Sequence, residues 1–410
     1  MKDITCFDYI ESCKDEMIEL QRGLTAHPAA GPENAGAGES AKAEFLAERL
    51  LAMGFPPVRR CNSTDERVPS GIRPNLIADV PGSPAGPGLW IMSHLDVVPP
   101  GEAKLWNSDP YTMKIDGERL IGRGTEDNQQ GIVSSVFAAR AVMKNGGPLS
   151  LPVHLLFVCD EEVGEGHGIE HLLADGGLFE KGDIFLVPDA GTADSVMIET
   201  AEKSLLWIKF TVMGKQAHAA TPGSGVNAFV AGSDLVLRID KLNREFSKRN
   251  ALFSPPASTF MPTRKEENVP NINTIPGEDV FYADLRILPD YRISNVLERI
   301  QKLCREVEKK YGVTAEFSVL NSIESGPSSD KSNLVRLLTA CIAEVYGVKA
   351  KARGIGGSTV AAFLRNAGFE TAVWATLEGS AHKPNEYCRI SNMVNDAKVM
   401  AALMLRLQSS

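Results

Sequence analysis

The chain has 410 residues, too many for one ordinary hydrophobic core, so two domains are expected. With 43% hydrophobic and 23% charged residues it has a soluble globular composition, and its net charge of −9, with both signs interspersed, leaves no Lys/Arg-dense stripe and argues against a nucleic-acid partner. No apolar run reaches the ~18 residues that a membrane span needs. The first residues, Met1 to Asp8, hold no apolar segment of a secretory leader, so a cytoplasmic location is expected. The seven cysteines are scattered, without Cys-x-x-Cys spacing, and read as reduced thiols.

In chain order, apolar residues at helical spacing predict helices over 8–24 and 40–53, the second stopped by Gly54. Short apolar strands follow at 75–80 and 89–92, divided by a turn-rich segment at 81–88. A helix over 129–143 ends at Asn145-Gly-Gly-Pro148. The runs 153–159 and 183–187 are near-continuously apolar, the pattern of strands covered on both faces in an α/β sheet. The texture changes near Glu202. An alternating strand at 205–214, a helix at 225–243, strands at 273–276 and 280–288, a helix at 294–311 and a strand near 315–320 give a β-α-β-β-α-β order. From Ser329 the first pattern resumes and ends in a helix over 392–407. The expectation is an α/β domain of residues 1–201 and 320–410, with a mostly parallel mixed sheet between helices. A ferredoxin-like α+β domain of residues 202–319 is inserted into it.

Five short stretches place a histidine or carboxylate where metal ligands are useful. They are His94-Leu-Asp96, Gly122-Arg-Gly-Thr-Glu-Asp127, Asp160-Glu161-Glu162, Asp189, and His382 within Leu-Glu-Gly-Ser-Ala-His. All but the second follow an apolar run, and open α/β sheets bind ligands at the carboxyl ends of their strands. Imidazole nitrogen and carboxylate oxygen suit zinc, and a two-ion site needs five or six such groups with one carboxylate bridging. Three adjacent carboxylates repel one another unless a cation is near. A single His-x-Asp would be weak; the set points to a metal-dependent hydrolase. Glu126, beside Asp127, is an alternative bridge, and Asp160 reads equally well as a charge at a helix start. His27, His154, His167 and His171 read as packing or surface residues, and Cys159 as core.

This motif series, continued by His382-x-Pro-Asn-Glu386, resembles the co-catalytic metallopeptidase family of glutamate carboxypeptidase, succinyl-diaminopimelate desuccinylase, aminoacylase and related dipeptidases. The resemblance implies a zinc-exopeptidase-like catalytic domain and an inserted lid or dimerisation domain. It implies two divalent ions per chain, zinc by default with cobalt or manganese also suited. His94 and Asp189 would hold one ion, Glu162 and His382 the other, and Asp127 would bridge. Asp96 would fix the His94 tautomer, and Glu161 would be the general base. A cis peptide is expected at Asp127–Asn128. Gly214-Lys-Gln-Ala-His218 matches the family's lid motif, whose histidine stabilises an oxyanion, often across a homodimer. Asn273 and Arg286 match substrate-gripping positions, Arg286 for a free carboxylate. In Gly354-Ile-Gly-Gly357-Ser358-Thr359 the loop would hold the other end of the substrate.

Two departures from the family's commoner wording, Asn128-Gln-Gln-Gly131 and Val360-Ala-Ala, touch no expected ligand but weaken transfer of a particular substrate. The activity implied is hydrolysis of an amide or peptide bond in a small substrate bearing a free carboxylate, as a dipeptidase or carboxypeptidase-like exopeptidase. The alternatives are an N-acyl-amino-acid amidohydrolase, a two-metal phosphoesterase, and a non-catalytic metal-binding relative.

Overall fold

The computed structural model describes residues 5–81, 85–147, 149–164, 166–357 and 359–407, so Ser358, an expected substrate contact, lies outside the described residues. The chain divides into two compact units. One comprises Met1–Thr200, Ser329–Ala352 and Phe363–Ser410, the other Ala201–Ser328 and Arg353–Ala362.

The first unit is organised by an eight-stranded sheet. Its order is Arg59–Arg60, Leu76–Asp79, Val153–Val158, Leu89–His94, Ile184–Gly191, Glu370–Ala375, Met197–Glu202, Lys351–Ile355. Leu89–His94 is parallel to Val153–Val158 and to Ile184–Gly191, which is parallel in turn to Glu370–Ala375. Leu76–Asp79 and Met197–Glu202 flank these four strands antiparallel. Every residue of Leu89–His94 is buried, which is why it reads as an unbroken apolar run. Ile91 joins the large core with residues of the helices Gln130–Asn145, Asn333–Tyr346 and Ile390–Leu407. Trp90, one residue earlier and so on the opposite face, packs instead against Phe179 and Phe185 and stacks on His154. Because the four central strands run parallel, the segments after His94, Val158, Val187 and Ala375 all emerge at one edge.

The second unit has a four-stranded antiparallel sheet in the order Thr259–Lys265, Glu278–Ile287, Ser204–Met213, Thr314–Ile323. Leu206, Ile208, Phe210 and Val212 alternate inward and pack with Leu235 and Ile239 of helix Ala228–Glu245 and with Ile300 and Leu303 of helix Ile293–Tyr311. The β-α-β-β-α-β order holds, but one strand differs from the expectation. Thr259–Lys265 occupies the sheet edge, and among the described residues Thr274–Ile275 pairs only with Ala217–His218. Pro262 and the charged end Arg264-Lys265 hid this strand, since proline and charge are what an edge strand tolerates.

The expected boundary at 319/320 falls inside Thr314–Ile323, whose pairing with Ser204–Met213 continues to Leu205↔Ile323. Residues 353–362 also join the second unit: Lys203 N donates to the Ile355 carbonyl and Thr359 Oγ1 to Glu202. Among the described residues no helix is long and apolar enough to cross a membrane. All seven cysteines are free thiols, with Cys159 buried.

Candidate metal centre

Five segments gather the charged groups: four at the carboxyl edge of the parallel strands and the turn Thr125–Gln129, which carries Asp127. His94 ends its strand and is buried, with Nε2 2.9 Å from Asp127 Oδ1 and 3.5 Å from Asp189 Oδ1. The other oxygen of Asp127 lies 3.0 Å from His382 Nε2, which is also 3.0 Å from Glu162 Oε2. Asp127 thus turns one oxygen to each histidine. One ligand atom each of His94, Glu161 and Asp189 lie within 4.8 Å of one another, and so do atoms of His94, Asp127 and Glu162.

The pKa directions follow from this crowding. Burial pushes Glu161 well above the usual carboxyl range, reinforced by Asp189, Glu162 and Asp127. Burial also raises Glu162. Burial opposes the charge on His94, but Asp189, Asp127 and Asp96 outweigh it and raise its pKa. Hydrogen bonds to Asp127 and Glu162 push His382 up to about 10. A buried oxygen, Glu162 Oε1, has no hydrogen-bond partner among the described residues. An acceptor of that kind is costly to bury unless something binds it, and two imidazoles with four carboxylates are hard-to-borderline donors suited to zinc, cobalt or manganese. The residues fit divalent metal.

The supporting groups are as informative. Asp96, buried, lies beside His94: the ring Nδ1 is 3.0 Å from the Asp96 carbonyl and 3.3 Å from its Oδ1. Its carboxylate also accepts from the backbone N–H groups of Glu161 at 3.2 Å and Glu162 at 2.9 Å. One side chain thereby steadies both a histidine and the acidic turn. That turn begins at Asp160, at φ 62° in the left-handed region. Asp160 accepts from His167 N and lies 3.6 Å from the buried Arg73, which forks onto buried Glu39. Asn75 holds the same turn through Cys159 N. Asn128 donates to Asp189 Oδ1 at 2.5 Å and to the Pro188 carbonyl at 2.7 Å. The Asp127–Asn128 peptide is cis.

Glu126 does not join the cluster. Its buried carboxylate accepts from the backbone N–H groups of Glu378, Gly379, Ser380 and Ala381 and from Ser380 Oγ. Its role escaped the sequence because its partners lie more than 250 residues away. Glu386, by contrast, was visible at the end of the His-x-Pro-Asn-Glu motif. It accepts from Arg123, Gly124 N, Glu126 N and Asp127 N, and burial pushes its carboxyl up to about 7.

Among the second unit's residues, His218 is exposed and its Nδ1 accepts from Ala220 N, which leaves the proton on Nε2. Ala219 N donates to the carbonyl of Asn273, while Asn273 Oδ1 accepts from Asn271. Arg286 is not an open fork. Asp284 takes two of its donors at 2.7 and 2.9 Å, and Nη1 donates to the Gly356 carbonyl. Thr359 gives its hydroxyl to Glu202 at 2.6 Å; Gly357 is partly buried. Of the four remaining histidines, His27 stacks on Phe45, His154 meets Asp79, His167 meets Ser63, and His171 is half-buried on helix Ile169–Asp175.

A parallel-sheet edge carrying such a donor set defines a metal-dependent hydrolase. The sequence profile of Peptidase family M20/M25/M40 matches residues 90–406, and the chain belongs to that family. It is 36% identical to an uncharacterised metallohydrolase of Methanocaldococcus jannaschii over 95% of this chain and 99% of that one. Identity to a succinyl-diaminopimelate desuccinylase of Thioalkalivibrio sulfidiphilus is 26%, over 96% and 99% of the two chains. The fold superimposes on aminopeptidase PepT of Bacillus cereus with a TM-score of 0.76 at 19% identity, covering 96% of this chain and 98% of that one.

Proposed function

We propose that this metallohydrolase uses two divalent ions, zinc by default, to cleave an amide or peptide bond of a small substrate bearing a free carboxylate. His94 and Asp189 would hold one ion, Glu162 and His382 the other, with Asp127 between them. The observation that carries this reading is Asp127, one oxygen 2.9 Å from His94 and the other 3.0 Å from His382. Bound there, the two ions would polarise the scissile carbonyl and make an attacking water more acidic.

Glu161 supplies the proton transfer. Its half-buried carboxylate accepts a proton from the attacking water and releases it to the leaving amine, and Asp96 holds its backbone in place for both steps. Should Glu161 instead ligate beside His94 and Asp189, its replacement would lower metal uptake along with turnover. His218, with its proton on Nε2, is a donor suited to the developing oxyanion. A homodimer through the second unit is supported by the exposed apolar Phe229, Val230 and Leu237 on helix Ala228–Glu245. A cytoplasmic location fits the free thiols.

A dipeptidase or carboxypeptidase-like exopeptidase is the preferred activity, with Asn273, Arg286 and the loop through Gly357, Ser358 and Thr359 contacting substrate. Arg286 would then divide its donors between Asp284 and a substrate carboxylate, or exchange one for the other. N-acyl-amino-acid amidohydrolase is the second reading, favoured by the similarity to a desuccinylase over nearly the whole chain. The test is hydrolysis of dipeptides, tripeptides and N-acetyl-, N-succinyl- and carbamoyl-amino acids by enzyme stripped with chelator and reloaded with zinc, cobalt or manganese. Turnover confined to free-amino peptides establishes the exopeptidase, and turnover confined to N-acyl amino acids the amidohydrolase. No metal-dependent turnover anywhere in the panel would refute the substrate class.

A further inference from the structure

His382 is the one proposed ligand with little packing to hold it: its side chain is 54% exposed, at φ 62°, on a loop of irregular backbone after Glu370–Ala375. Asn392 and Arg389 hold the Glu378 side chain and Tyr387 N meets Ser380 Oγ, but the main-chain amides of the loop are held by Glu126. Its Oε1 accepts from Glu378 N and Gly379 N, and its Oε2 from Ser380 N, Ser380 Oγ and Ala381 N. Four successive amides therefore close around one carboxylate, and the residue after them is His382. The neighbour of Glu126 on the other side is Asp127. The covalent bond between 126 and 127 thus ties the loop that carries one ligand directly to another.

The exchange is reciprocal. From the second loop Glu386 reaches back, with Oε1 taking Glu126 N at 3.0 Å and Asp127 N at 3.1 Å, and Oε2 taking Gly124 N at 3.0 Å and the Arg123 guanidinium. Beyond Glu386, Tyr387–Arg389 pairs with Arg119–Ile121, so that end of the loop stays fastened independently of Glu126. Loss of the Glu126 contacts would loosen residues 378–382 and leave the Asp127 side in place.

We propose that Glu126 is a positioning residue that sets His382 against Asp127, so that its removal weakens one ion of the pair and leaves the other. This rests on the two-ion reading above. Glu126→Gln keeps the shape but turns an –NH₂ group toward backbone N–H donors whichever way the amide is placed. Partners one step removed from a metal typically change its affinity by about 10- to 100-fold when altered, and that is the loss expected here for the second ion alone. Glu386→Gln acts on the backbone of the bridge and should weaken both ions. Ser380→Ala, which removes the hydroxyl that meets Glu126 Oε2 at 2.6 Å and accepts from Tyr387 N at 3.0 Å, spares the four amide contacts and should weaken the second ion by a smaller factor and leave folding intact.

The experiment is zinc titration of the chelator-stripped full chain by calorimetry, with the visible absorption of the cobalt-loaded protein reporting the geometry at each ion. The expected result is two ions in the unaltered protein, with the second selectively weakened in Glu126→Gln and Ser380→Ala and its cobalt band altered. Equal weakening of both ions in those variants, or unchanged binding in both, would overturn the positioning role. Were Glu126→Gln not to fold, Ser380→Ala decides by the same criterion. Uptake of only one ion by the unaltered chain would instead overturn the two-ion reading, and the role of Glu126 with it.

Discussion

Asp96→Asn tests how much of the site depends on a group outside the proposed ligands. The carboxylate has two duties, receiving Glu161 N at 3.2 Å and Glu162 N at 2.9 Å while Oδ1 lies 3.3 Å from the His94 ring. Asparagine retains one oxygen. Placed at Oδ1, it leaves an –NH₂ facing Glu162 N; placed at Oδ2, it leaves one facing both Glu161 N and the imidazole. At least one charge-assisted hydrogen bond is lost in either case, a cost of about 1.5–3 kcal/mol. The His94 contact to the Asp96 carbonyl at 3.0 Å survives, so the ring keeps its tautomer and the damage falls on the acidic turn. Because 1.4 kcal/mol is a factor of ten, kcat/KM should fall by about 10- to 100-fold, most of it in kcat. Steady-state kinetics with a parallel metal titration is the assay. A variant within twofold of the parent in both kcat and metal affinity would refute the account of Asp96.

Further outcomes follow from buried charges. Arg73, wholly buried, forks onto Glu39 at 2.6 and 2.8 Å and lies 3.5 Å from Asp65 and 3.6 Å from Asp160. Arg73→Met strands the buried Glu39 carboxylate, whereas Asp65 keeps Arg67 and Asp160 keeps His167 N, and should cost about 3–5 kcal/mol in urea unfolding; a loss below ~1 kcal/mol, ordinary for a surface substitution, would contradict this. Burial pushes Asp396 up to about 6 from an ordinary 3.8, although Thr376, Tyr346 and Gln130 donate to it. Between pH 4 and 6 the folded carboxyl keeps its proton while the unfolded one has lost it, so folding takes up a proton and stability falls as pH rises. The total is about 3 kcal/mol across that window. Asp396→Asn should remove that part of the slope when unfolding is compared at pH 4.5 and 6.5; an identical slope in both proteins would show the shift to be absent.

Much of the architecture was legible because parallel strands buried on both faces leave near-continuous apolar runs, as in Val153–Val158 and Ile184–Gly191. Their carboxyl ends located His94, Asp160–Glu162 and Asp189 without any knowledge of the pairing. The edge strand Thr259–Lys265 was not legible, because only Phe260 is buried along it. The pairing of Arg286 with Asp284 had a usable signal: residues two apart on a strand share a face, and opposite charges there meet. The Glu126 contacts had none, since backbone amides carry no residue identity and their segment lies far along the chain.

In the proposed mechanism Glu161 moves the proton while other residues hold the metal, and Glu161→Gln separates the two duties. Metal content and hydrolysis would be measured on the same preparation, using whichever panel substrate the unaltered enzyme turns over. Both ions should remain bound while kcat falls by at least ~10²-fold, the lower range for a lost acid–base group. Full activity in the variant, or loss of activity only in step with loss of metal, would contradict it.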